Sequence, residues 1–180
     1  MTTKEAALSK LKRTRDSFWF SLGAYALLTK EPAKSQVAGY SIVVTNNDLT
    51  VEPKGATTQH GGISYRIEFN SSITQDSALS VVQQTFYSML TDSYEATKSA
   101  APELHKTQDW YHFARHLRNA ISHNGRWHFQ NSVGLPTQWR HLAIDSSMHG
   151  QPVEGFIGWY DGLQLGAVMQ LFVNGLADEA

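Results

Sequence analysis

Residues 110–125 read WYHFARHLRNAISHNG, and this stretch is the strongest indicator of fold and function in the 180-residue chain. An α-helix turns about 100° per residue, so side chains three, four or seven positions apart share a face. Apolar residues at these spacings predict the buried face of an amphipathic helix: Trp110, Phe113, Ala114, Leu117, Ala120 and Ile121. Pro102 fits the first turn of this helix, and Asn124-Gly125 is a standard stop signal.

A second stripe of polar side chains runs beside the core face at spacings of four, three and four: His112, His116, Asn119 and His123. On an ideal helix Arg118 lies roughly 140° from His123, so these two side chains do not share a face. Two arrangements stay open. Either the last turn unwinds near Gly125, or both side chains reach into a cleft built with another chain.

These residue types can cleave an RNA phosphodiester without a metal. The reaction needs a proton-transfer group, a cation that stabilises the phosphorane, and alignment of the 2′-hydroxyl. Histidine suits proton transfer near neutral pH, and the helix C-terminus favours the charged imidazolium of His123. Arg118 would supply the fixed charge and Asn119 a neutral donor or acceptor. Arg and His also occur near helix ends as simple charge compensation, so spacing alone leaves both interpretations open.

The charge distribution favours a partner that carries phosphate. The net charge is −1, yet residues 110–144 contain no Asp or Glu. The same window holds four arginines, at positions 115, 118, 126 and 140, and five histidines, at positions 112, 116, 123, 128 and 141. Guanidinium groups match phosphate oxygens, and here no carboxylate opposes them. A solvated basic face is the alternative explanation.

The remaining chain predicts a mainly α protein. Helices are expected at about 4–30, 75–98 and 156–176, in addition to the one that ends at Gly125. Short β-like runs are expected at 40–45, 49–52, 63–69, 126–129 and 139–144, with turns at 46–48, 60–62 and 134–136. We therefore predict a single domain over 1–180, a bundle of about four helices with small β insertions at about 38–70 and 126–145.

The composition excludes several classes of site. The chain has no cysteine, which rules out disulfides, thiolate metal sites and cysteine nucleophiles. Hydrophobic residues make up 41% and charged residues 17%, which fits one folded core and not a disordered chain. The first sixteen residues lack the apolar stretch of a secretory signal, and no apolar run is long enough to span a membrane. A soluble cytoplasmic protein is the expectation.

Several histidines and aromatic residues carry alternative interpretations. His112 and His116, with His123 and His128 nearby, could bind zinc, but no Glu follows His112 as a metalloprotease helix requires, so no metal site is assigned. No partner pattern accompanies three further histidines, which are expected at the surface: His105, His141 and His149. Tyr111 lies off the core arc and is a candidate for stacking on an unpaired base.

The segment Arg118-Asn119-Ala120-Ile121-Ser122-His123 resembles the motif of HEPN domains, in which an Arg, followed directly by a polar residue, precedes a His by four to six residues. The resemblance is sharpest over Asp109 to Gly125 and extends more loosely over the chain. It implies an up-and-down bundle of helices in which the motif comes late. The two β insertions depart from a minimal HEPN domain.

The resemblance implies a metal-independent endoribonuclease that leaves a 2′,3′-cyclic phosphate and needs no cofactor. It implies a homodimer whose two motifs face one cleft, so that one protomer's Arg118 works beside the other's His123. His123 would transfer the proton, Arg118 would stabilise the phosphate and Asn119 would orient them. We expect further RNA contacts from five neighbours: Tyr111, His112, Arg115, His116 and Arg126.

Some HEPN domains are toxins or defence effectors, so an antitoxin or a regulatory protein is an expected partner. Other HEPN domains bind nucleotide or RNA without cutting it. A binding module, or a purely structural dimerisation domain, is therefore the alternative function.

Overall fold

A computed structural model describes residues 3–45, 49–58, 64–68, 75–130 and 133–177. Five α-helices lie in these ranges: α1 (Thr3–Thr29), α2 (Ala33–Val37), α3 (Gln75–Ala100), α4 (Tyr111–Ser122) and α5 (Trp159–Asn174). Five strands accompany them: β1 (Tyr40–Thr45), β2 (Leu49–Pro53), β3 (Ser64–Glu68), β4 (Thr137–Trp139) and β5 (Leu142–Ile144). The predicted class, mainly α with small β insertions, is confirmed.

The strands form two small antiparallel sheets. In the first, β1 lies between β2 and β3, and in the second β4 pairs with β5 around a short turn. The turns expected at 46–48 and 60–62, and the ends of the strand expected at 63–69, lie outside the described residues.

Three predicted elements need correction. The helix expected from Pro102 is interrupted because Gln108 is extended (ψ 140°), which separates a short 3₁₀ helix, Leu104–Thr107, from α4. The last helix begins at Trp159 and not Phe156, because Gly158 is extended. Residues 126–129 form no strand, and Arg126 makes only a single bridge, to Pro152. The short helix α2 had no counterpart among the predictions.

The chain divides into two compact units. Unit 1 comprises Met1–Phe18 and Gln84–Ala180, and unit 2 comprises Trp19–Gln83. Unit 1 therefore holds α4, α5 and the small sheet of β4 and β5, whereas unit 2 holds the three-stranded sheet. The single domain over 1–180 stays a prediction. Among the described residues, no helix combines the length and the apolar character that crossing a membrane requires.

The core of unit 1 joins α1, α3 and α5. One buried cluster contains a residue pair from α1 and one residue from each of the other two helices: Ala7, Leu11, Ala96 and Val173. Nearby, the fully buried ring of Phe18 packs against Phe86 of α3, with ring centroids 5.3 Å apart. Leu11 and Phe18 lie seven residues apart, so they share the buried face of α1.

Gly162 lets α5 approach α3 closely. A methyl group at this position would lie 2.3 Å from the Phe86 ring, closer than any real contact. Gly166, one turn later on the same helix, has nothing within 4 Å of the equivalent point. Replacing Gly162 by Ala therefore changes both the packing and the helix propensity, whereas replacing Gly166 by Ala changes the helix propensity alone.

We expect Gly162→Ala to lower the free energy of unfolding by about 1–3 kcal/mol, because the Phe86 ring or α5 must move to admit the methyl group. The matched control Gly166→Ala should raise it by up to about 1 kcal/mol, since Ala is the better helix former. Urea denaturation followed by circular dichroism measures both. Equal effects at the two positions would contradict the close packing.

His105 is buried, which corrects its expected surface position. Only 1% of the residue is exposed, and its ring lies edge-on to Tyr94, Trp110 and Tyr111. Its Nδ1 contacts the carbonyl oxygen of Pro102 at 3.4 Å, and its Nε2 is buried without a hydrogen-bond partner among the described residues. Burial is the main cause that lowers the pKa of His105 from its ordinary value.

This lowered pKa predicts a loss of stability in acid. Below about pH 6.5 the unfolded chain binds a proton at His105 that the folded chain binds only at lower pH, so acid favours unfolding. The free energy of unfolding should therefore fall between about pH 7 and pH 5, and His105→Phe should make that fall smaller in urea titrations. His141→Gln, at a mostly exposed histidine, should leave the fall in place. An unchanged pH dependence in His105→Phe would contradict this assignment.

Candidate functional site

Helix α4 has the rotation about its axis that the apolar pattern predicts. Five of the six predicted core residues are buried, at 4% exposure or less: Trp110, Phe113, Ala114, Leu117 and Ala120. The sixth, Ile121, is half-buried. The predicted core face is therefore confirmed, and it determines which flank of α4 each polar side chain occupies.

The helix ends just before the motif histidine. His123 has left helical geometry (φ −103°, ψ 62°), although its N–H still donates to the carbonyl of Asn119 at 2.9 Å. Asn124 and Gly125 follow with positive φ angles of 57° and 68°. The chain thus unwinds at the end of α4, but this does not bring His123 and Arg118 to one cavity, so the shared cleft stays a prediction.

A cavity of about 100 Å³ lies beside this helix end. Its lining comes from one flank of α4 and from the segment after it: Arg115, His116, Asn119, His123, His128, Phe129 and Gln130. We call it the basic cavity, because none of these described residues is acidic. Four of them, Arg115, His116, Asn119 and His123, belong to the predicted site.

Arg115 supplies the fixed positive charge of the basic cavity. Its half-buried guanidinium makes no hydrogen bond or ion pair to another described residue. An arginine with no internal partner at the wall of a cavity can bind an anion without first breaking an ion pair. The cavity is therefore suited to phosphate or carboxylate.

His116 is held neutral by its surroundings. It is 6% exposed, its ring lies edge-on to Phe129, and its Nε2–H donates to the carbonyl of Val133 at 3.2 Å. Burial, the largest influence, lowers the pKa of His116. Because Nε2 is engaged, Nδ1 is the nitrogen that remains to accept a proton. His116 is therefore not solvated; it lines the basic cavity, and its contact with RNA stays a prediction.

The second wall of the cavity consists of residues that the motif did not indicate. His128 lies 5.9 Å from the His123 ring and 5.3 Å from that of His149. His149 Nδ1 in turn accepts a hydrogen bond from the N–H of Phe129 at 3.2 Å, so it supports this wall. The β-like run predicted at 126–129 did not indicate that His128 and Phe129 lie against the end of α4.

Arg118 does not line the basic cavity. Its Nη2 lies 2.7 Å from Glu95 Oε1 on α3, an ion pair whose angles fall outside hydrogen-bond geometry. Its Nη1 donates to Asn119 Oδ1 at 3.2 Å. Asn119 therefore connects the motif arginine to the cavity, and the arginine's charge is balanced by Glu95.

Tyr111 lies in a buried aromatic group and not at the cavity. Its ring lies edge-on to those of His105 and His112, with centroids 4.8 and 4.9 Å apart. Burial raises the pKa of Tyr94. The structure thus places the predicted base-stacking residue where its ring is largely in contact with protein.

His112 and Arg126 also lie outside the lining. His112 Nδ1 is buried without a hydrogen-bond partner in the described chain, and Gly134 covers it. The exposed Arg126 donates from Nη1 to the carbonyl of Gly150 at 2.7 Å. Across the described ranges, no three His, Asp or Glu side chains lie close enough together to hold a metal ion.

Comparison with known proteins found no family model, no curated protein and no solved structure that matches this chain. The basic cavity and the motif that borders it are the features on which a function can be proposed.

The loop over His112 should not tolerate a side chain at Gly134. A Cβ there would lie 2.1 Å from His112 Nδ1, and φ is +78°. Gly150 has the same φ of +78° but nothing within 4 Å. Gly150→Ala should cost about 1–2 kcal/mol of backbone strain, and Gly134→Ala about 1–3 kcal/mol more. In proton NMR, Gly134→Ala should also shift the His116 ring signals, because it displaces the Val133 carbonyl that accepts the hydrogen bond from His116 Nε2. Equal destabilisation by both changes would argue against the contact.

Proposed function

We propose that this chain is a metal-independent endoribonuclease whose reaction takes place at the basic cavity. The observation that carries the proposal is the lining itself: an arginine without a partner, a buried neutral histidine, an exposed histidine and an amide, with no carboxylate among the described residues. The resemblance of residues 118–123 to the HEPN motif supplies the reaction class and its 2′,3′-cyclic phosphate product. No metal or cofactor takes part in the proposed reaction.

The two histidines suit the two proton transfers of this reaction. Attack by a 2′-hydroxyl needs a base that is unprotonated at neutral pH, and loss of the 5′-oxygen needs an acid. His116 is held neutral by burial, so it fits the base. His123 is exposed and lines the same cavity, so we assign it the role of the acid.

Arg115 is the proposed phosphate-binding group within one protomer. Its guanidinium is available in the cavity, whereas that of Arg118 is paired with Glu95. We propose two contributions from Arg118. It orients Asn119 through their 3.2 Å hydrogen bond, and in a homodimer it faces the partner's cavity, as the motif resemblance implies.

The second candidate is a module that binds nucleotide or RNA without cutting it. The Arg118–Glu95 ion pair favours this alternative, because it neutralises the charge that a HEPN nuclease uses on phosphate. Such a module predicts RNA affinity that weakens with salt, and no cleavage product.

The test is incubation of the purified full chain with single-stranded RNA in EDTA, with analysis of product ends. We expect cyclic phosphate products, and losses of about 10²–10³-fold in kcat/KM for Arg115→Ala and about 10²–10⁴-fold for His123→Ala. Arg140→Ala is the matched control, because this arginine of the same acid-free window lies beside Asp161, outside the cavity. Its rate should stay within about threefold of wild type.

Several outcomes would decide against the proposal. Cleavage that EDTA abolishes would indicate a metal enzyme, and cleavage that survives both His123→Ala and Arg118→Ala would place the activity elsewhere. Binding without product would favour the second candidate. We place the nuclease in the cytoplasm as a toxin or defence effector restrained by an antitoxin or regulatory protein. Expression should then be toxic, and His123→Ala should relieve the toxicity.

A further inference from the structure

The three-stranded sheet of unit 2 has one face made only of apolar side chains. Residues paired across neighbouring strands point to the same side of a sheet. The observed register puts eight such residues together: Tyr40, Ile42 and Val44 of β1, Leu49, Val51 and Pro53 of β2, and Tyr65 and Ile67 of β3. We call this set the apolar sheet face.

The apolar sheet face is the exposed side of the sheet. Tyr65 is 73% exposed, Val51 63% and Leu49 60%, whereas Ser41 and Glu52, on the other side, are 0% and 8% exposed. An antiparallel sheet with one solvated face normally presents its polar side to water and buries its apolar side. Here the order is reversed. Unit 2 also carries nine of the thirteen exposed large hydrophobic residues of the described chain.

The charges of the sheet restrict what can cover this face. The described charged residues of the three strands all lie on the opposite side, where Arg66 Nη2 is 2.9 Å from Glu52 Oε2. A nucleic acid or an acidic membrane surface would therefore meet no cation on the apolar sheet face. Its occupant must present an apolar, uncharged surface of similar width.

We propose that the apolar sheet face is an interface between two copies of this chain. A two-fold axis brings the same patch of both copies together, and two sheets pack face to face about 10 Å apart. A second copy offers the same uncharged surface, three strands wide, so each apolar residue gains an apolar neighbour. The proposal depends on the sheet of unit 2 alone and not on the proposed reaction.

The size of the face predicts a reversible dimer. Its exposed side chains offer roughly 400–500 Å² per copy, on areas of about 60–120 Å² for aliphatic and 150–250 Å² for aromatic side chains. Patches of about this size are often functional on soluble proteins, and weak specific interfaces bury less than about 600 Å² per partner. Association should therefore vary with concentration in a measurable range.

Sedimentation equilibrium of the full chain, from submicromolar to several hundred micromolar, tests the proposal. Wild-type protein should associate through this face, whether or not copies also meet at residues 118–123, and Val51→Lys should raise the dissociation constant of this contact at least about tenfold, because two lysines would be buried without a counter-charge. Leu104→Lys is the matched control, since Leu104 is 57% exposed but lies in unit 1. Its dissociation constant should equal that of wild type.

A thiol probe gives an independent measurement, because the chain has no cysteine of its own. In Val51→Cys the single thiol should react with a maleimide in dilute monomer and become protected as dimer forms. Leu104→Cys should react equally at both concentrations. If Val51→Lys fails to fold, Tyr65→Lys replaces it at the most exposed position of the face.

Three results would overturn the proposal. Wild-type protein could be monomeric at every concentration. The association of Val51→Lys could equal that of wild type at every concentration, which would mean that the apolar sheet face makes no contact between copies. The thiol at position 51 could be protected in dilute monomer, which would mean that the chain covers this face itself.

Discussion

The buried apolar face of α4 is the constraint on which the candidate site depends. Because Phe113, Leu117 and Ala120 are fully buried, the helix cannot rotate about its axis without exposing them. Because successive side chains of a helix are about 100° apart, the buried face also determines where the polar side chains of α4 point. Positions 115, 119 and 123 point to one flank of the helix and Arg118 towards the other. The burial of one face of α4 therefore determines both the lining of the basic cavity and the Arg118–Glu95 ion pair.

The ion pair of Arg118 is a modest restraint on that arginine. Both side chains are about one-third exposed, at 34% and 33%, so solvent screens the attraction between them. Pairs of this kind typically contribute about 0–1 kcal/mol to stability, whereas a phosphate offers a guanidinium two charge-assisted hydrogen bonds. A bound phosphate could thus compete with Glu95 for Arg118 at little cost. In the dimer proposed at residues 118–123, the replacement of Glu95 by phosphate at Arg118 would couple RNA binding to the contact between α3 and α4.

Patterns within a short stretch of sequence predicted the features that depend only on that stretch, such as the buried face and the end of one helix. The 3.6-residue period identified the buried side of α4, and Asn124-Gly125 marked its end, because these signals act within one helix. Contacts between distant segments carry no such signal. Glu95 as the partner of Arg118 was therefore missed, as was the position of His128 and Phe129 opposite α4. His105 was misplaced because a short 3₁₀ helix has too few residues to show a period.

The sheet of unit 2 shows a different limit of such patterns. Strict alternation of apolar and polar residues along a strand predicts that one face of the sheet is apolar. It does not predict which face the rest of the chain covers. In β1 and β2 the buried positions include Ser41 and Glu52, so burial here follows the polar side. Burying Glu52 beside Arg66 costs desolvation that a well-packed apolar face would not. An arrangement that accepts this cost while exposing Val51 and Tyr65 leaves an apolar patch that gains free energy when another surface covers it, as the proposed contact between two copies would.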